Sequence, residues 1–367
     1  MSTLTATRKV LRFKNNLHEE FNKKLNQRVN AYLKSNKVGR YANAEMIIKS
    51  IFMFSLYLVP YFMFLFGVIE SVWLFYLMVI LMGFGKAGIG LSVMHDANHG
   101  AYSKKKWVND VIGYSLNLVG GNATNWKIQH NVKHHTYTNV AGMDEDISPK
   151  GGILRFNPYT EVKKHHKWQH IYAWFLYGLM TMSWIIVKDI IQLAEYTKDG
   201  LLQKQTKSTV RAWIWLILTK IFYYSYILAI PLLFTSLAWY HIVIGFFLMH
   251  YVAGFSLAII FQPAHVMEEN SFEDGGASEV VEENWAVHQL KSTCNFAHKA
   301  KVFSWFVGGL NYQIEHHLFP NVCHVHYRKL SKIVRETAEE YGIPYKSYPT
   351  FMSALVSHGK MLYALGR

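Results

Sequence analysis

The sequence predicts an all-α integral membrane protein with four transmembrane helices in two hairpins, one interfacial helix and a helical cap on the cytosolic side. Three observations lead to this prediction. Apolar residues make up 51% of the chain, although it also carries 19 histidines and a net charge of +14. The apolar residues are gathered into long runs. The basic residues lie in the segments between those runs.

The positive charge is informative about partners. A basic protein often binds nucleic acid, but here the cationic residues lie beside the apolar runs, where they would contact anionic lipid headgroups. We therefore expect a lipid bilayer as a partner and no nucleic acid. The two cysteines, Cys294 and Cys323, provide neither a disulfide framework nor a metal-binding knuckle. We expect both to be reduced thiols.

Residues 1–46 are polar and basic, and we assign them to a cytosolic arm that precedes a membrane domain of residues 47–367. Apolar side chains recur on one helical face of this arm, at Phe21, Leu25, Val29 and Leu33. Such a helix either packs on the body of the protein or lies on the membrane surface. No cleavable signal peptide is visible, so insertion is expected to depend on the first apolar run.

Four apolar runs, at 47–68, 71–94, 211–233 and 238–261, are close to the ~20 residues that a transmembrane helix needs. The short links inside the two pairs lack Lys and Arg, whereas the N-terminal arm is rich in both. The positive-inside rule therefore places the N-terminus in the cytoplasm and both links outside. Residues 95–170 and 262–367 would then form the cytosolic cap.

A fifth apolar run, at 171–187, is interpreted differently. The histidine clusters described next fall at 95–135 and 265–317, and they can share one site only if both segments lie on the same side of the membrane. One more crossing between them would separate the two segments. We therefore predict that 171–187 is an interfacial or re-entrant helix.

Two histidine clusters follow the second apolar run. His95 and His99 are four residues apart, and positions four apart lie on one face of an α-helix. His130 and His134 repeat this spacing, and His135 would project from a neighbouring face. Each pair can present two imidazoles to one metal, as other histidine pairs with this spacing do. The second cluster could serve two metals.

The third cluster is the adjacent pair His316 and His317, with Gln313 one helical turn before His316. Because an amide is a weaker ligand than imidazole, Gln313 is expected to bind weakly, through water, or to support a ligand by a hydrogen bond. The seven histidines exceed what one metal needs, which indicates two. Imidazole ligands suit Fe, Zn, Cu or Ni, and ionisable groups near a membrane are usually functional.

These clusters resemble the three histidine boxes of the membrane fatty acid desaturase family. The string Asn311-Tyr-Gln-Ile-Glu-His-His-Leu-Phe-Pro320 is similar to the third box of its front-end branch, which has Gln where other members have His. That branch includes delta-5, delta-6 and sphingolipid delta-8 enzymes. The likeness runs from about residue 45 to the C-terminus. The His-Pro-Gly-Gly motif of a fused cytochrome b5 domain, usual in eukaryotic front-end members, does not occur in this sequence.

The resemblance implies a cap that holds two iron ions (Fe2+/Fe3+) and an enzyme that uses O2 as co-substrate. The implied reaction introduces a cis double bond into a long acyl chain, carried as an acyl-lipid or acyl-CoA, with front-end (delta-5/delta-6-like) position. Without the cytochrome b5 motif, an external electron-transfer protein is implied, either a ferredoxin or a cytochrome b5 with its NAD(P)H reductase. The missing motif also favours a bacterial inner membrane over the endoplasmic reticulum.

Carried over position by position, the resemblance also implies the metal ligands. His265, in Gln-Pro-Ala-His-Val-Met-Glu, is similar to a further family histidine just after the last span, and Gln313 takes the variable place. The ligands implied are His95, His99, His130, His134, His135, His265, His316 and His317.

Other polar residues near the boxes are candidates for supporting roles. Acids and amides beside a ligand can orient its imidazole N–H group, and the candidates are Asp96, Asn139, Asp144, Asp146 and Glu315. Surface acids or loop caps are the alternative interpretation. Histidines outside the boxes have other expectations. We predict lipid headgroup contacts rather than metal binding for His165, His166 and His170, and a packed and hydrogen-bonded role for His250. His288, near Trp285, is a candidate to support a ligand, and His324 and His326 are left open.

Two rival functions remain at this point. The same histidine frame could belong to a hydroxylase of a lipid, alkane or sterol, against which the Gln-Ile-Glu-His-His third box argues. A transition-metal transporter is the alternative from another class. A transporter would place its ligands near the bilayer midplane in broken helices, whereas the boxes here lie beyond the ends of the predicted spans.

Overall fold

The computed structural model describes residues 11–35, 39–148, 151–277 and 279–367, and their regular structure is mostly helical, as predicted. The basic residues Arg8, Lys9 and Lys37 of the predicted arm lie outside the described residues. In chain order the helices are α1 Glu19–Ser35, α2 Ala44–Leu65, α3 Val72–Asn98, α4 Lys106–Gly113, α5 Ser115–Leu118, α6 Ala123–Trp126 with a π-helical continuation Lys127–His134, α7 Lys164–Gly178, α8 Met180–Lys198, α9 Thr209–Phe234, α10 Trp239–His265, α11 Trp285–Ser292, α12 Lys301–Phe306, α13 Gln313–Leu318, α14 Tyr327–Glu340 and α15 Phe351–Leu365.

Short strands tie distant segments of the cap together. In the described residues they form three parallel pairs of two residues each. The pairs are Arg12–Phe13 with Val280–Val281, Val140–Ala141 with Glu273–Asp274, and Asn295–Phe296 with Ser347–Tyr348.

Four described helices, α2, α3, α9 and α10, are long and apolar enough to cross a bilayer, which agrees with the four predicted spans. Two of them run past their predicted ends. Helix α3 continues beyond 94 to Asn98, and α10 continues beyond 261 to His265. His265 therefore occupies the last turn of α10, four residues beyond the predicted end of the span, and its place just after the span stays a prediction.

Helix α3 packs against both α2 and α10. Small residues permit this close approach, because a Cβ atom on Gly85 would lie 2.7 Å from the backbone nitrogen of Tyr57 in α2. On the opposite side, a Cβ on Gly83 would lie 2.9 Å from the carbonyl oxygen of Met249 in α10. Helix α10 packs mainly on α3 and makes fewer contacts with its chain neighbour α9. The arrangement in two transmembrane hairpins stays a prediction.

The fifth apolar run does not form one straight helix. Helices α7 and α8 meet at Leu179 with a bend of 60°. Helix α10 packs on this bend, where a Cβ on Gly254 would lie 2.6 Å from the carbonyl oxygen of Gly178. The predicted interfacial or re-entrant position of this segment stays a prediction.

The amphipathic helix of the arm packs on the cap. The predicted stripe of α1 is buried against α14, where its neighbours include Leu330 and Val334. An ion pair at 2.6 Å joins Arg28 of α1 to Glu340 of α14. Of the two interpretations of this helix, packing on the body of the protein is therefore confirmed. The same apolar core contains Ile314 and Leu318 of α13 and so fixes the helix that carries the third histidine cluster.

Candidate metal centre

The eight predicted ligands come from four separate segments of the fold. The end of α3 supplies His95 and His99, and the end of α10 supplies His265. The π-helical continuation of α6 supplies His130 and His134, His135 follows it directly, and α13 supplies the last two. All eight are buried except for partial exposure of His99. The structure therefore brings every predicted histidine ligand into one cluster, the histidine cluster.

The histidine cluster divides into two adjacent groups. In the first group, ring nitrogens of His95, His99, His130 and His316 lie within 4.8 Å of one another. In the second group, ring nitrogens of His134, His265 and His317 lie equally close. Each group has enough imidazoles to hold one metal ion.

His135 lies between the two groups. Its Nε2 atom is 3.0 Å from Nε2 of His316 and 3.2 Å from Nε2 of His130. Ligand nitrogens on one metal lie at this separation when each is ~2.0–2.1 Å from the ion. His135 also forms a close group with His316 and His317, so it can complete either half of the cluster.

The backbone of the second histidine box differs from the prediction. Residues Lys127–His134 form a π-helix, and the N–H of His135 donates to the carbonyl of His130 at 2.9 Å. The predicted α-helical turn is therefore wrong, although ring nitrogens of His130 and His134 still lie within 4.8 Å of each other. The wider turn places His130 in the first group, His134 in the second and His135 between them. Single π-helical turns are often found at functional sites.

The second ring nitrogen of several imidazoles is held by a polar partner. Nδ1 of His134 donates to Asp144 at 3.0 Å, as predicted from the sequence. Nδ1 of His317 donates to Oε1 of Gln289 at 2.9 Å and lies 3.1 Å from Oγ1 of Thr138. These contacts fix the tautomer so that Nε2 of each ring is free to bind a metal.

Sequence reasoning missed Gln289, Thr138 and Tyr327, whose hydroxyl lies 3.3 Å from Nδ1 of His316. Thr138 does lie four residues after His134, a spacing that puts it on the same side of a helical turn. Gln289 and Tyr327 come from α11 and α14, and no spacing in the sequence links them to the boxes.

Two predicted supporting acids have other partners. Glu315 accepts hydrogen bonds from Asn295 and Tyr345 at 2.8 and 2.9 Å, so its predicted contact with a box imidazole is wrong. Asp96 accepts from His324 at 2.8 Å, and its other oxygen lies 4.0 Å from Nδ1 of His95. Residues adjacent in a helix project from different faces, and both acids immediately adjoin a ligand.

Asn139 and Asp146 support the second group from outside. Asn139 has a positive φ of 56°, and its N–H donates to Asp144 at 3.0 Å. Its side-chain amide donates to the carbonyl of His265 at 2.8 Å, which connects the second box to the end of α10. Asp146 lies 3.5 Å from Nδ1 of His134 and accepts from Gln129 at 2.5 Å.

The remaining histidines lie outside the cluster. His166 is buried and bonded to the carbonyl of Gly152, so its predicted headgroup contact is wrong, and exposed His165 contacts the same carbonyl. His250 is packed and bonded to Tyr223 at 2.6 Å, as predicted. His288 contacts the carbonyl of Thr138, and His326 contacts the carbonyl of Tyr41. His324 contacts Asp96 and Lys49. The headgroup contact of His170 stays a prediction.

The electrostatics of the cluster favour neutral imidazoles. Burial, reinforced by the neighbouring rings, holds the pKa values of His130, His135, His316 and His317 well below the usual range. Burial also disfavours charge on His134, but Asp144 and Asp146 outweigh it and raise its pKa to about 9. Neutral imidazole is the form that binds metals. The two carboxylates provide the negative charge that a metal at the second group would meet.

Unsatisfied buried atoms show that the cluster fits metal ions. Among the described residues, Nε2 of His99, Nε2 of His317 and Nδ1 of His265 are buried without a hydrogen-bond partner. The amide nitrogen of Gln313 is also unpartnered, and its side chain interacts with His265. Buried polar atoms are rarely left unpaired in native proteins unless a ligand or ion satisfies them. The donor set therefore suits two cations with imidazole ligands.

An apolar cavity begins at the histidine cluster and extends between α3, α8 and α10. At its upper end it is lined by His130, His134 and His265, and deeper in the fold by Gly90 and Leu257. Other lining residues at depth are Leu116, Val119, Trp184, Ile185, Lys86 and Thr181. A chain of methylene groups in this cavity would lie against His130 of the first group and against His134 and His265 of the second.

Comparison with known proteins agrees with this site. The chain matches the family model for fatty acid desaturases over residues 71–349, and it belongs to that family. Together with the apolar helices, this membership defines an integral membrane protein.

Individual relatives match over nearly the whole chain. It is 34% identical over 340 residues to the sn-1 linoleoyl-lipid 6-desaturase of Arthrospira platensis, a match that covers 92% of this chain and 90% of that protein. It is 36% identical over 357 residues to the acyl-lipid (8-3)-desaturase of Physcomitrium patens, covering 95% and 72% of the two chains. A second linoleoyl-lipid 6-desaturase, from Synechocystis sp., is 33% identical and is covered to 96%.

Proposed function

We propose that this protein is a front-end acyl-lipid desaturase with a di-iron centre, which introduces a cis double bond near the carboxyl end of a long acyl chain. The observation that carries the proposal is the position of the two histidine groups at one end of an apolar cavity. The relatives named as 6-desaturases and (8-3)-desaturases support the front-end type and an acyl-lipid substrate.

The histidine ligands would hold the two iron ions in the two groups described above. His95, His99, His130 and His316 would hold the first ion and His134, His265 and His317 the second, with His135 between the two groups. Iron supplies the O2-dependent oxidation, since no side chain of the chain can remove hydrogen from an unactivated methylene. Gln313 adds a weak ligand or a hydrogen bond beside His265.

Side chains of the protein orient the histidine ligands. Asp144, Gln289 and Tyr327 hold the outer nitrogens of His134, His317 and His316, which keeps each ring in the orientation that faces the cluster. Rigid imidazoles fix the position of the oxidant relative to the substrate, so only one carbon–carbon bond of the acyl chain is exposed to it.

The cavity provides substrate binding and excludes water. Its walls are mostly aliphatic and aromatic, and its deep end meets Lys86 and Thr181. A long acyl chain that enters at the histidine end loses its contact with water along the whole cavity, and burial of each methylene contributes ~0.8 kcal/mol. Carbon atoms near the carboxyl group remain close to the histidines. This placement suits a front-end enzyme.

The remaining elements of the proposal concern the cell. We place the cap and the active site on the cytoplasmic face, by the positive-inside rule. Similarity to proteins of two cyanobacteria, Arthrospira platensis and Synechocystis sp., supports a bacterial inner membrane. The electrons would come from a separate ferredoxin or cytochrome b5 with its NAD(P)H reductase.

The test is expression of the chain in a host supplied with linoleate, followed by mass spectrometry of total fatty acids with double-bond localisation. We expect a new double bond between the carboxyl group and the existing ones, and its loss in His316→Ala. His298→Ala is the matched control, because His298 is a half-buried histidine outside the cluster that contacts Ser347. It should retain the product.

Two outcomes would contradict the proposal. A hydroxylated fatty acid would assign the chain to the hydroxylases that share the histidine frame. Zinc in place of iron in the purified protein, together with no new product, would exclude the desaturase and favour a metal-transport role.

A further inference from the structure

A second concave surface, the cationic groove, opens beside the beginning of α2. It is lined by Glu45 and Lys49 of α2, by Lys301 and Trp305 of α12 and by Arg328 of α14. None of its lining residues also lines the apolar cavity. The protein therefore presents two separate concave regions, and the mechanism above uses only one of them.

The charge of the cationic groove is predominantly positive. Lys301 and Arg328 are exposed at its rim, and Lys49 lies buried at its floor with Nζ 5.2 Å from the centre of the Trp305 ring. Glu45 is the single acid among its lining residues. Such a surface attracts an acidic partner by long-range electrostatics.

A chain of buried polar contacts connects the groove to the histidine cluster. Nζ of Lys49 lies 2.6 Å from Nε2 of His324, and Nδ1 of His324 lies 2.8 Å from Oδ2 of Asp96. The other Asp96 oxygen is 4.0 Å from Nδ1 of His95, to which Asp96 is also covalently adjacent. Two side chains, those of His324 and Asp96, thus bridge the groove and a metal ligand.

We propose that the cationic groove docks the acidic one-electron carrier protein that reduces the metal centre, and that His324 and Asp96 form the electron path to His95. This proposal rests on the proposed function and adds the partner's binding surface. Two carrier molecules are each oxidised by one electron per turnover. O2 accepts these two electrons, two hydrogens from the acyl chain and two protons from solvent, and leaves as two water molecules.

A lipid headgroup is the other ligand with the right charge. A phosphate bound in the groove would need no buried connection to a metal ligand, whereas an electron carrier does. The residues that line the acyl cavity are all different from those that line the groove, so the groove is not continuous with the proposed substrate site. The observations therefore favour the protein partner.

The first experiment measures binding. Full-length protein in nanodiscs of zwitterionic lipid is titrated with a plant-type [2Fe–2S] ferredoxin and, separately, with a soluble cytochrome b5 domain, at several salt concentrations. The double variant Lys301→Glu/Arg328→Glu reverses the charge of the rim. The matched control is Lys204→Glu/Lys207→Glu, which reverses two exposed lysines that do not line the groove.

We expect the wild type and the control to bind one of the carriers with an affinity that falls as salt rises. The groove variant should bind that carrier at least about tenfold more weakly, because unlike charges at the rim become like charges. Equal binding by the groove variant and the control, or no binding of either carrier by the wild type, would overturn the docking site. A groove variant that keeps the carrier but loses affinity for phosphatidylglycerol vesicles would make it a headgroup site instead.

The second experiment tests the electron path. Stopped-flow oxidation of the reduced carrier should slow at least about tenfold in His324→Gln, while the carrier's Kd and the bound iron stay at wild-type levels, because the groove rim is intact. Unchanged electron transfer would exclude His324 from the path.

Dithionite, a small chemical reductant, bypasses the groove. After anaerobic reduction with dithionite and removal of its excess, O2 is added to start a single turnover. Product formed by the groove variant at the wild-type rate shows that the desaturase function stands apart from the docking site, and no product from the wild type would refute the function itself.

Discussion

The carboxylate of Asp144 connects several parts of the metal centre. It accepts from Nδ1 of His134 and from the N–H groups of Asn139 and Asp146, at 3.0 and 2.9 Å for the two backbone donors. Asp144→Asn keeps the size of the side chain but removes its charge and one acceptor. We expect iron affinity to fall by about 10–100-fold, the usual effect of losing such a partner. Competition with a chelator, followed by metal analysis, measures this change.

Asp110→Asn is the matched control for Asp144→Asn. Asp110 is partly exposed and pairs with Lys106 and Lys127, away from the histidines. Its replacement should leave iron affinity unchanged. If Asp144→Asn also retains the iron affinity of the wild type, Asp144 does not orient His134, and the second group needs another support.

A buried histidine outside the metal centre predicts how stability depends on pH. His358 is fully buried, donates to the carbonyl of Val266 at 2.7 Å and accepts from Tyr177 at 2.6 Å. Burial lowers its pKa to about 4 from the ordinary 6.5. The unfolded chain therefore binds a proton first as the pH falls. The stability that neutral His358 contributes is complete above pH ~6.5 and is lost progressively down to pH ~4.

We expect this one group to remove about 2 kcal/mol of the free energy of unfolding between pH 7 and pH 5. The measurement is denaturant unfolding in detergent over this range, comparing the wild type with His358→Gln, which cannot titrate. The variant should lose less stability on acidification by that amount. Above pH 7.5, where both states are neutral, the difference between the two proteins should be constant. Parallel curves at lower pH would show that His358 is protonated in the folded protein.

Individual residues also show what a sequence can predict about this site. The spacing of His95 and His99 was sufficient, because four residues make about one helical turn. The position of Glu315 next to His316 in the sequence did not predict a contact between them, because successive side chains of a helix point about 100° apart. No sequence pattern indicated that Gln289 supports a ligand, because its contact with His317 depends on how α11 packs in three dimensions.

At the scale of elements, the contact between α2 and α3 depends on a missing side chain. A Cβ on Gly85 would meet backbone atoms of Leu56 and Tyr57 at 2.7 to 2.8 Å, and backbone cannot rotate away as a side chain can. Gly85→Ala must therefore separate the two helices. We expect it to destabilise the protein by about 1–3 kcal/mol, as overpacking usually does. Thermal unfolding in detergent measures the effect.

Gly359→Ala is the matched control for this helix contact. Gly359 also lies in a helix, α15, but a Cβ there would meet only a Trp174 ring atom at an ordinary 3.7 Å. Alanine has the higher helix propensity, so this variant should be as stable as the wild type or more stable. If the Gly85→Ala and Gly359→Ala proteins unfold at the same temperature, α2 and α3 are not packed this closely.

The elements show a similar limit of prediction. Apolar runs predicted the four long helices, because burial in lipid needs a minimum length. The predicted spans end at 94 and 261, whereas α3 and α10 continue as helices to Asn98 and His265; the spacing of His95 and His99 did indicate a helix at the first of these ends. The π-helix at Lys127–His134 was also missed, because the HxxxHH spacing is compatible with either helix type.

At the scale of the whole molecule, the metal centre constrains the membrane topology. Helix α3 delivers His95, and α10 delivers His265, to one compact cluster. We therefore predict that the ends of these two helices face the same side of the bilayer. The number of crossings between them is then even, and the predicted crossings of α9 and α10 provide two. The bent pair of α7 and α8 cannot add a single crossing, so both of its ends should face the cap.

Cysteine accessibility tests this topology, because the native Cys294 and Cys323 are buried. Single cysteines replace three exposed residues, Ser236 between α9 and α10, Lys204 after the bent pair and Lys104 beside the cap. In intact bacterial cells a membrane-impermeant maleimide should label only Ser236→Cys. Permeabilised cells should show labelling at all three positions, which controls for reactivity. External labelling of Lys204→Cys would mean that α7 and α8 cross once, and α3 and α10 could then not deliver their histidines to one site. External labelling of both Lys104→Cys and Lys204→Cys, with protection of Ser236→Cys, would instead invert the whole protein, and would place its electron donor on the outer side of the membrane.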